Sequence, residues 1–383
     1  MSKDYSKFTD AQLLALKKQT ELDISKYHNF QLVRKIQLNS AYGAIGNQYF
    51  RYYSTELAEA ITLSGQLSIQ WIGQELNKYL NKIVGTTDVD YVIASDTDSV
   101  YLCLNNLVLK VFPDTGLADG KPISRPPTKT IVDFLDKSAE QAIIPFIEKK
   151  FAELAKTMNA YENKMQMGRE VIADKGIWTA KKRYMLNVWD SEGVRYTEPK
   201  LKIMGIETTR SSTPEFVRKH LKSAINITMN GSEQDMIDFV EKCRKEFYAL
   251  PPEDIAFPRS VNGMEKYTDR ATIYRKSTPI AVKGALIYNH YLDKFNIGKK
   301  YKKIIEGDKI KFLMLKRPNP LGGSVGEDQV VSFPNVLPKE FKLEDYIDYK
   351  IQFEKSFIDP LTAILDTIGW STEKKNTLEN LFG

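Results

Sequence analysis

The sequence contains few of the residues that build zinc sites. Its 383 residues include two cysteines and three histidines, namely Cys103, Cys243, His28, His220 and His290. Neither cysteine belongs to a pair with metal-ligand spacing, and the histidines lie far apart along the chain. A zinc site is therefore not expected.

Long apolar runs are also missing from the sequence. No run approaches the roughly 20 apolar residues that a helix needs to span a bilayer. The opening stretch, "MSKDYSKFTD", is hydrophilic and shows no secretory signal. The two absences predict an intracellular protein that has no membrane partner.

The overall composition is that of a soluble globular protein. Of the residues, 42% are hydrophobic and 27% are charged, which excludes the classes of disordered chains. A chain of this length is too long for one compact core, so two or three domains are expected. The net charge of +6 permits a polyanionic partner but does not require one.

Basic residues are concentrated in the second half of the chain. After residue 178 the sequence contains "TAKKRYML", "EPKLKIMG", "FVRKHLKSA" and "IGKKYKKII". Any one of these stretches is compatible with a solvated surface. Their clustering favours nucleic acid as the partner.

Hydrophobic periodicity and turn residues predict an α+β fold. Residues 9–45 predict two helices joined near "ELDIS", and the spacing of apolar residues from 57 to 83 predicts a long helix. Further along, a strand–turn–strand unit is predicted at residues 91–104. A helix kinked by Pro145 is predicted from residue 131 to residue 158.

The rest of the chain has a mixed pattern. Alternating residues in "EVIAD" and "RYMLNVW" predict two more strands. Beyond Gly205 the pattern is mainly helical, interrupted by an irregular, partly β segment at residues 252–335. The expected layout is a helical hairpin, an α+β middle and a helix-rich C-terminal part.

The stretch "YVIASDTDSVYL" places two carboxylates, those of Asp96 and Asp98, at the tip of the predicted β-hairpin. Two anions so close together are costly unless a cation lies beside them. Hard oxygen ligands with open positions for phosphates are typical of a magnesium site. An ordinary polar β-turn is the alternative, because aspartate, threonine and serine favour turns.

A second motif, "KIQLNSAYG", places a cation, an amide, an aromatic ring and a glycine on one helix face. These residues are Lys35, Asn39, Tyr42 and Gly43. The combination suits a nucleotide: the lysine for a triphosphate, the tyrosine for a base pair and the glycine for close approach. The alternative is a solvated helix that ends at a glycine cap.

These stretches resemble motifs of the B-family DNA polymerases, in the family's order. "KIQLNSAYG" is similar to the second fingers motif, "SDTDS" to the palm Asp-Thr-Asp-Ser motif, and "KKRY" to the Lys-x-Tyr motif. "GNQYFRYY", "YTEPKLKIMGIET" and "SSTP" extend the resemblance to the T-even-type phage polymerases over nearly the whole chain. The resemblance implies a replicative polymerase in an infected bacterium.

The resemblance implies a role for each matching residue. Asp98 is implied to bind both of two Mg²⁺ ions, with Asp96 as its companion and Glu170 in support. Lys35 and Asn39 are implied to face the triphosphate of the incoming dNTP, with Tyr42 and Gly43 at the nascent base pair. Three residues are implied to hold the primer strand of primer–template DNA: Lys182, Tyr184 and Lys202.

One departure from the family pattern precedes the first aspartate. The family has Tyr-Gly at this position, whereas this chain has Ala94 and Ser95. Because both residues precede the carboxylates, we expect altered packing under the turn and intact chemistry.

The resemblance also divides the chain into three domains. Residues 1–46 correspond to part of the fingers, 47–207 to the C-terminal part of the palm, and 208–383 to the thumb. Thumb residues are expected to hold duplex DNA through backbone contacts. Four lysines in "IGKKYKKII" are candidates for such contacts, although plain solvated surface is the alternative: Lys299, Lys300, Lys302 and Lys303.

A family motif that supplies the opposing metal ligand, Asp-x-x-Ser-Leu-Tyr-Pro, is absent from this sequence. The exonuclease motif, Asp-x-Glu, and the first palm segment are expected upstream of the fingers in the family. We therefore expect a C-terminal subunit of a split polymerase, inactive without a complementary N-terminal chain. The alternatives are an artificial truncation and a non-catalytic DNA-binding accessory protein.

The tail "EKKNTLENLFG" carries a short apolar face formed by Leu378, Leu381 and Phe382. A terminal helix that frays and packs back on the thumb is one interpretation. The other follows from the resemblance, because phage polymerases of this type end in a similar peptide that binds the sliding clamp. The expectation here is a clamp-binding tail.

Overall fold

The computed structural model describes residues 8–113, 117–118, 121–122, 128–321 and 329–373. It confirms the α+β class, with helices and small antiparallel sheets. The chain divides into two compact units, which are described separately. The first comprises residues 1–126 and 137–168, and the second comprises residues 127–136 and 169–383. The predicted domain boundaries at residues 46 and 207 stay predictions.

The α-helices are α1 (Asp10–Ile45), α2 (Thr55–Val84), α3 (Asn105–Val111), α4 (Thr128–Ser138), α5 (Ile144–Thr157), α6 (Glu215–Asn230), α7 (Glu233–Tyr248), α8 (Pro252–Ile255), α9 (Met264–Tyr267), α10 (Ile280–Lys294), α11 (Tyr349–Phe353) and α12 (Asp359–Leu365). Single π-helical turns span Ala139–Ile143 and Glu354–Ile358. Short 3₁₀ helices span Glu207–Thr209, Lys339–Phe341, Glu344–Tyr346 and Asp366–Ile368.

The strands are β1 (Val92–Asp96), β2 (Ser99–Leu102), β3 (Leu117–Ala118), β4 (Lys121–Pro122), β5 (Val171–Ala180), β6 (Arg183–Ser191), β7 (Val194–Met204), β8 (Phe257–Ser260), β9 (Thr268–Asp269), β10 (Ile273–Tyr274), β11 (Lys309–Met314) and β12 (Val330–Phe333). They form the antiparallel sheets β1–β2, β3–β4, β5–β6–β7, β9–β10 and β12–β11–β8.

Helix α1 corrects the prediction of two helices joined near "ELDIS". It is one continuous helix of 36 residues, begun by a capping box in which Thr9 and Gln12 bond each other's backbone amides. The stretch at residues 21–25 contains neither glycine nor proline, so nothing in it breaks a helix. The turn of the helical hairpin lies instead at residues 46–54, between α1 and α2.

Helix α2 confirms the long helix predicted from apolar spacing. Its C-terminal half packs into the core of the first unit, where Ile72, Leu76 and Leu80 are at most 1% exposed. Leu57 and Ile61, near its N-terminal end, are more than two-fifths exposed. The periodicity identified the helix correctly, but only half of its apolar stripe is covered.

A single π-helical turn lies just before Pro145, where the sequence predicts a kink. Helix α4 runs into the turn Ala139–Ile143, and α5 begins directly afterwards with the proline in its first turn. Proline has no backbone N–H, so it cannot donate the hydrogen bond that would continue an α-helix from before it. The wider turn absorbs this missing bond without ending the helical path.

The sheet β5–β6–β7 in the second unit confirms the two strands predicted in "EVIAD" and "RYMLNVW". Strand β6 is central, and its residues from 184 to 188 are all buried. On one side of the sheet, Met185 packs with Ile206, Ile225 and Met229. This sheet and its β5–β6 turn carry three of the predicted site residues, Lys182, Tyr184 and Lys202.

The segment at residues 252–335 differs from its prediction as an irregular, partly β region. It contains the sheet strands β8, β11 and β12, but also the buried helix α10. Nine of the fifteen positions of α10 are hydrophobic and eight of these are buried, so its exposed polar residues, among them His290, Asp293 and Lys294, form only a narrow stripe. None of the helices in the described residues has the length and apolarity needed to cross a bilayer.

Candidate functional site

The two predicted metal-binding carboxylates lie where the hairpin β1–β2 turns. Asp96 pairs with Ser99 across the hairpin, and Thr97 and Asp98 form the turn between them. The amide N–H of Asp98 donates a hydrogen bond of 2.6 Å to the carbonyl oxygen of Asp96. This tight closure places Thr97 at a φ of 54°. A β-branched residue in the left-handed region is strained, which is common at functional sites.

Hydrogen bonds within the turn fix the Asp96 side chain. The Thr97 hydroxyl donates to Asp96 Oδ1 at 3.0 Å, and the Ser99 hydroxyl donates to the Asp96 carbonyl oxygen at 3.2 Å. Asp96 is half-buried, whereas Asp98 is exposed. The turn therefore offers one held carboxylate and one that is open to solvent.

The donor set of this turn fits a divalent cation of the magnesium type. Carboxylate oxygens are hard ligands, and Mg²⁺ is usually bound through one or two carboxylates plus substrate phosphates. Within the described ranges, no group of three or more His, Cys, Asp or Glu side chains could hold a metal. The turn thus provides two carboxylates for a cation and leaves the other positions to other ligands.

The base of the hairpin is anchored on α2 through Asn77. Its side-chain oxygen accepts the backbone N–H groups of Tyr91 and Val92 at 2.9 and 3.1 Å, and its amide donates to Asp90 at 2.7 Å. Val92 also packs against the core that contains Ile72. The turn with its carboxylates is consequently held on a rigid support.

The departure from the family's Tyr-Gly coincides with an irregular register. The pairing of β1 with β2 shifts between Val92 and Ala94, so Ile93 lies in a bulge and is 48% exposed. Ala94 then pairs with Tyr101 and Ser95 with Val100 in regular register up to the turn. The expectation that Ala94 and Ser95 alter the packing under the turn stays a prediction.

The predicted nucleotide-binding residues all lie on the last three turns of α1. Lys35, Asn39, Tyr42 and Gly43 are exposed, and the Tyr42 hydroxyl is 2.8 Å from the Thr62 hydroxyl on α2. An added Cβ at Gly43 would meet nothing within 4 Å. The packing of the described residues therefore does not require glycine at this position.

Glu170 lies immediately before strand β5 in the second unit. Its carboxylate is 3.6 Å from the ammonium group of Lys202 on β7, and its carbonyl oxygen accepts the N–H of Glu192 at 2.7 Å. The structure thus brings together two of the predicted site residues, Glu170 and Lys202. Both side chains are accessible, at 60% and 33% exposure.

Lys182 and Tyr184 flank the short turn between β5 and β6. Lys182 is exposed with a φ of 62°, whereas the Tyr184 ring stacks on Trp178 and is 8% exposed. Gly205 packs against this turn: a Cβ there would lie 2.1 Å from the Lys182 carbonyl oxygen. Only glycine allows this contact, and its φ of 68° also favours glycine.

The structure places the predicted residues in two groups that belong to different units. Asp96, Asp98 and the α1 residues lie in the first unit, and Glu170, Lys182, Tyr184 and Lys202 lie in the second. The predicted clamp-binding residues fall outside the described ranges: Leu378, Leu381 and Phe382.

Sequence reasoning missed a buried ion network next to Glu170. Arg169 bonds Asp190 at 2.5 Å and Asp136 at 2.9 Å, and Arg195 lies 3.3 Å from Asp190 and 3.1 Å from Asp136. Asp190 is fully buried. These residues come from α4 and three different positions of the sheet region, so no local spacing in the sequence reveals them.

Three of the four candidate thumb lysines are already paired within the chain. The pairs are Lys300 with Glu340 at 2.6 Å, Lys302 with Asp308 at 3.4 Å and Lys303 with Asp293 at 2.7 Å. These carboxylates neutralise most of the positive charge that a DNA backbone would meet. The pairing favours the alternative interpretation of this run, a solvated surface.

Comparison with known proteins agrees with the motifs. Residues 11–118 match the model of "DNA polymerase family B". The chain is 36% identical over 392 aligned positions to the DNA-directed DNA polymerase of Enterobacteria phage T4, covering 99% of this chain and 42% of that protein. Over nearly its whole length the chain resembles these polymerases, and its N-terminal part matches DNA polymerase family B. The turn at Asp98 and the exposed face of α1 both lie inside the part that matches the family model.

A second polymerase shows what share of a full-length relative this chain aligns with. The DNA-directed DNA polymerase of Escherichia phage RB69 is 38% identical over 364 positions, which cover 92% of this chain and 38% of that protein. The chain therefore spans about two-fifths of the length of these B-family relatives. Glu170, Lys182 and Lys202 lie beyond the family-model match, in the part covered by the longer alignments.

Proposed function

We propose that this chain supplies the C-terminal part of a DNA-directed DNA polymerase, with nucleotidyl transfer at the turn of β1–β2. The observation that carries the proposal is the exposed Asp98 carboxylate on a strained, anchored turn in a B-family chain. Primer–template DNA and dNTPs are the substrates. The site belongs to replication in a phage-infected bacterial cell.

Each residue of the site has a defined task in this proposal. Asp98, with Asp96 beside it, would hold two Mg²⁺ ions, which when bound activate the primer 3′-hydroxyl and neutralise charge on the triphosphate. Lys35 and Asn39 bind and orient the triphosphate. Tyr42, held through its hydroxyl by Thr62, lies against the nascent base pair.

The residues of the second unit bind the primer in the same proposal. Lys182 is exposed on the turn that Gly205 supports, and it contacts the primer backbone together with Lys202. Tyr184 packs on Trp178 and so fixes the strand that follows the turn. Glu170 orients the Lys202 ammonium group through their ion pair.

We further propose that a separate N-terminal chain completes the active site as the other half of a split polymerase. The supporting observation is that α1 contains no buried residue over its 36 positions. Large apolar side chains on it are widely exposed, among them Leu14 at 70%, Tyr27 at 66%, Phe30 at 58% and Leu38 at 74%. Exposed apolar surface of this extent marks an interaction site.

Primer extension tests the proposed function. We expect no synthesis by this chain alone with Mg²⁺, and synthesis after addition of a polypeptide that carries the Asp-x-x-Ser-Leu-Tyr-Pro motif. Asp98→Asn in that complex abolishes synthesis and leaves DNA binding intact. The matched control is Asp238→Asn, which changes an exposed aspartate on α7 and should leave synthesis unchanged.

Two outcomes would contradict the proposal. Robust synthesis by the isolated chain would refute the split active site. Full synthesis by the Asp98→Asn complex would refute the catalytic role and favour the alternative function, a non-catalytic DNA-binding accessory protein.

The C-terminal tail is proposed to bind the sliding clamp. Its apolar residues, Leu378, Leu381 and Phe382, would occupy a groove on the clamp. Deletion of residues 377–383 should abolish processive synthesis with the clamp and leave distributive synthesis unchanged. Equal processivity of the deleted and full-length chains would refute this role.

A further inference from the structure

Two arginines of the second unit lie on either side of one tight turn. Arg210 follows the 3₁₀ helix Glu207–Thr209, and the turn after it is closed by the N–H of Thr213, which donates to the Arg210 carbonyl oxygen at 3.2 Å. Arg259 on β8 reaches the same turn, since its Nη1 donates to the Ser212 carbonyl oxygen at 2.7 Å. The Arg210 guanidinium group donates to the Gly205 carbonyl oxygen at 3.2 Å, and the Arg259 guanidinium group is held at the turn that Arg210 begins.

The charge at this place is not balanced. Arg259 forms hydrogen bonds to the Ser212 and Pro258 carbonyl oxygens, and among the described residues no carboxylate pairs with it. Arg210 lies 3.5 Å from Glu207, but that carboxylate already accepts two bonds from Arg183, at 2.9 and 2.7 Å. Arg183 and Arg210 therefore share one acidic side chain, and Arg259 pairs with none among the described residues.

The two arginines also repel each other. Burial and the nearby charge of Arg210 lower the pKa of Arg259 from its ordinary value. Like charges held close together without a counter-ion lose this repulsion when an anion binds between them. Arginine is also the side chain best suited to phosphate, because its planar fork donates two parallel hydrogen bonds.

The position of the pair indicates which anion binds. Strand β7 ends at Met204, which pairs with Tyr184, and the following Gly205 packs on the Lys182 carbonyl oxygen. The chain then passes directly into Glu207 and Arg210. The arginine pair therefore continues the surface that begins at the predicted primer-binding turn.

We infer that Arg210 and Arg259 together bind one phosphodiester group of duplex DNA, beside the Lys182 turn. This inference rests on the proposed function, because it assumes that DNA passes the Lys182 turn. A surface cleft of about 430 Å³ lies nearby, and its lining mixes acids and bases: Glu215, Glu253, Asp254, Arg218 and Lys311. The phosphate is placed at the arginine pair because no carboxylate of the described residues pairs with Arg259.

The salt dependence of DNA binding tests this inference. Each phosphate neutralised in B-DNA contributes about −0.9 to the slope of log K against log [salt], so loss of one contact removes about that much. Arg259→Gln and Arg210→Gln should each flatten the slope by this amount for a labelled primer–template duplex. Between 50 and 200 mM salt, the wild-type chain should then lose roughly threefold more affinity than either variant.

A matched arginine provides the control. Arg270 is an exposed arginine in the turn between β9 and β10, and Arg270→Gln changes the same charge away from the pair. Equal slopes for Arg259→Gln and Arg270→Gln would show a general charge effect and overturn the inference. Unchanged far-ultraviolet circular dichroism and melting temperature show that each variant is folded, and Arg259→Lys tests the planar fork with the charge kept.

Single methylphosphonate substitutions identify the strand and the position. A neutral linkage at the contacted phosphate should weaken binding of the wild-type chain and have no effect on Arg259→Gln. Scanning the primer and template strands separately shows which one carries the contact. If every linkage affects the two proteins equally, the arginine pair binds no phosphate.

The same variants distinguish this inference from the proposed function. If Arg259→Gln leaves DNA binding unchanged while Asp98→Asn abolishes synthesis in the complex, only the inference fails. If the complex does not synthesise DNA but Arg259→Gln flattens the salt dependence, the phosphate site stands and the polymerase activity fails.

Discussion

The backbone N–H of Asp98 and the backbone carbonyl oxygen of Asp96 are joined by a hydrogen bond of 2.6 Å that spans Thr97 alone. This bond brings two aspartates to one end of a hairpin and places a β-branched residue at positive φ. The turn is consequently a strained element on a well-anchored support. Strain of this kind is stable only where the surrounding structure holds it.

The first prediction concerns Thr97. The left-handed conformation costs a non-glycine residue about 1–2 kcal/mol. Thr97→Gly should therefore be more stable than Thr97→Val by about 1 kcal/mol, because both variants lose the hydroxyl bond to Asp96 and only valine keeps the strain. Urea unfolding of the two variants measures this difference, and equal midpoints would show that the turn is not strained.

The second prediction compares two glycines with positive φ. Gly205→Ala should destabilise the chain by about 3 kcal/mol or more, since the added methyl group would lie 2.1 Å from the Lys182 carbonyl oxygen. Gly193→Ala is the matched control, because its φ is 86° and a Cβ there meets nothing within 4 Å. It should cost only the backbone strain, about 1 kcal/mol.

Gly205→Ala should also displace the Lys182 turn. We expect weaker DNA binding for it at a temperature where both variants are folded. Equal melting temperatures and equal DNA affinities for the two alanine variants would contradict the role assigned to Gly205.

The third prediction concerns the buried network of Asp190. Asp190→Asn leaves the guanidinium groups of Arg169 and Arg195 beside a neutral side chain. Asp136 still pairs with both arginines, so the loss of the buried Asp190 charge and its hydrogen bonds should cost about 1–3 kcal/mol. Thermal unfolding measures the loss, and Asp238→Asn on the exposed face of α7 should change stability by less than about 0.5 kcal/mol.

The fourth prediction concerns pH. Hydrogen bonds from Lys300, from its own backbone and from Tyr301 lower the pKa of Glu340 from 4.5 to about 2. A lowered pKa in the folded state stabilises the chain above the unfolded value, and this stabilisation is lost as the pH falls from about 4.5 towards about 2. The melting temperature of Glu340→Gln should therefore fall less steeply over this window than that of the wild-type chain.

Lys300→Gln provides the reciprocal test of this ion pair. This substitution removes the largest cause of the lowered pKa of Glu340. The melting temperature of Lys300→Gln should therefore also depend less on pH between about 4.5 and about 2. Parallel curves for the wild-type chain and both variants would show that the pair contributes nothing to acid stability.

Several elements could be predicted because their signals are local. The hairpin at residues 91–104, the long helix α2 and the strands β5 and β6 follow from residue spacing and turn chemistry. The prediction of a break near residue 23 was wrong, because no helix breaker lies between the two stretches predicted as separate helices. Helix α10 was missed because most of its positions are buried and its polar stripe is narrow.

In the candidate site, too, local features could be predicted from the sequence, whereas features of the tertiary structure could not. The residues of the family motifs could be named from the sequence, since each motif is a short continuous stretch. The strain at Thr97, the contact of Gly205 with Lys182 and the pairing of Lys303 with Asp293 could not. Each depends on backbone angles or on side chains that approach only after the chain has folded.

The sequence by itself determined the family, the α+β class and the order of the motifs, because these reside in local patterns of residues. The tertiary structure alone decided which charges are balanced. It pairs three of the four lysines of "IGKKYKKII" with acids and leaves Arg259 without a paired carboxylate among the described residues. The physical reason is that electrostatic interaction depends on distance in space, and distance along the chain does not fix it.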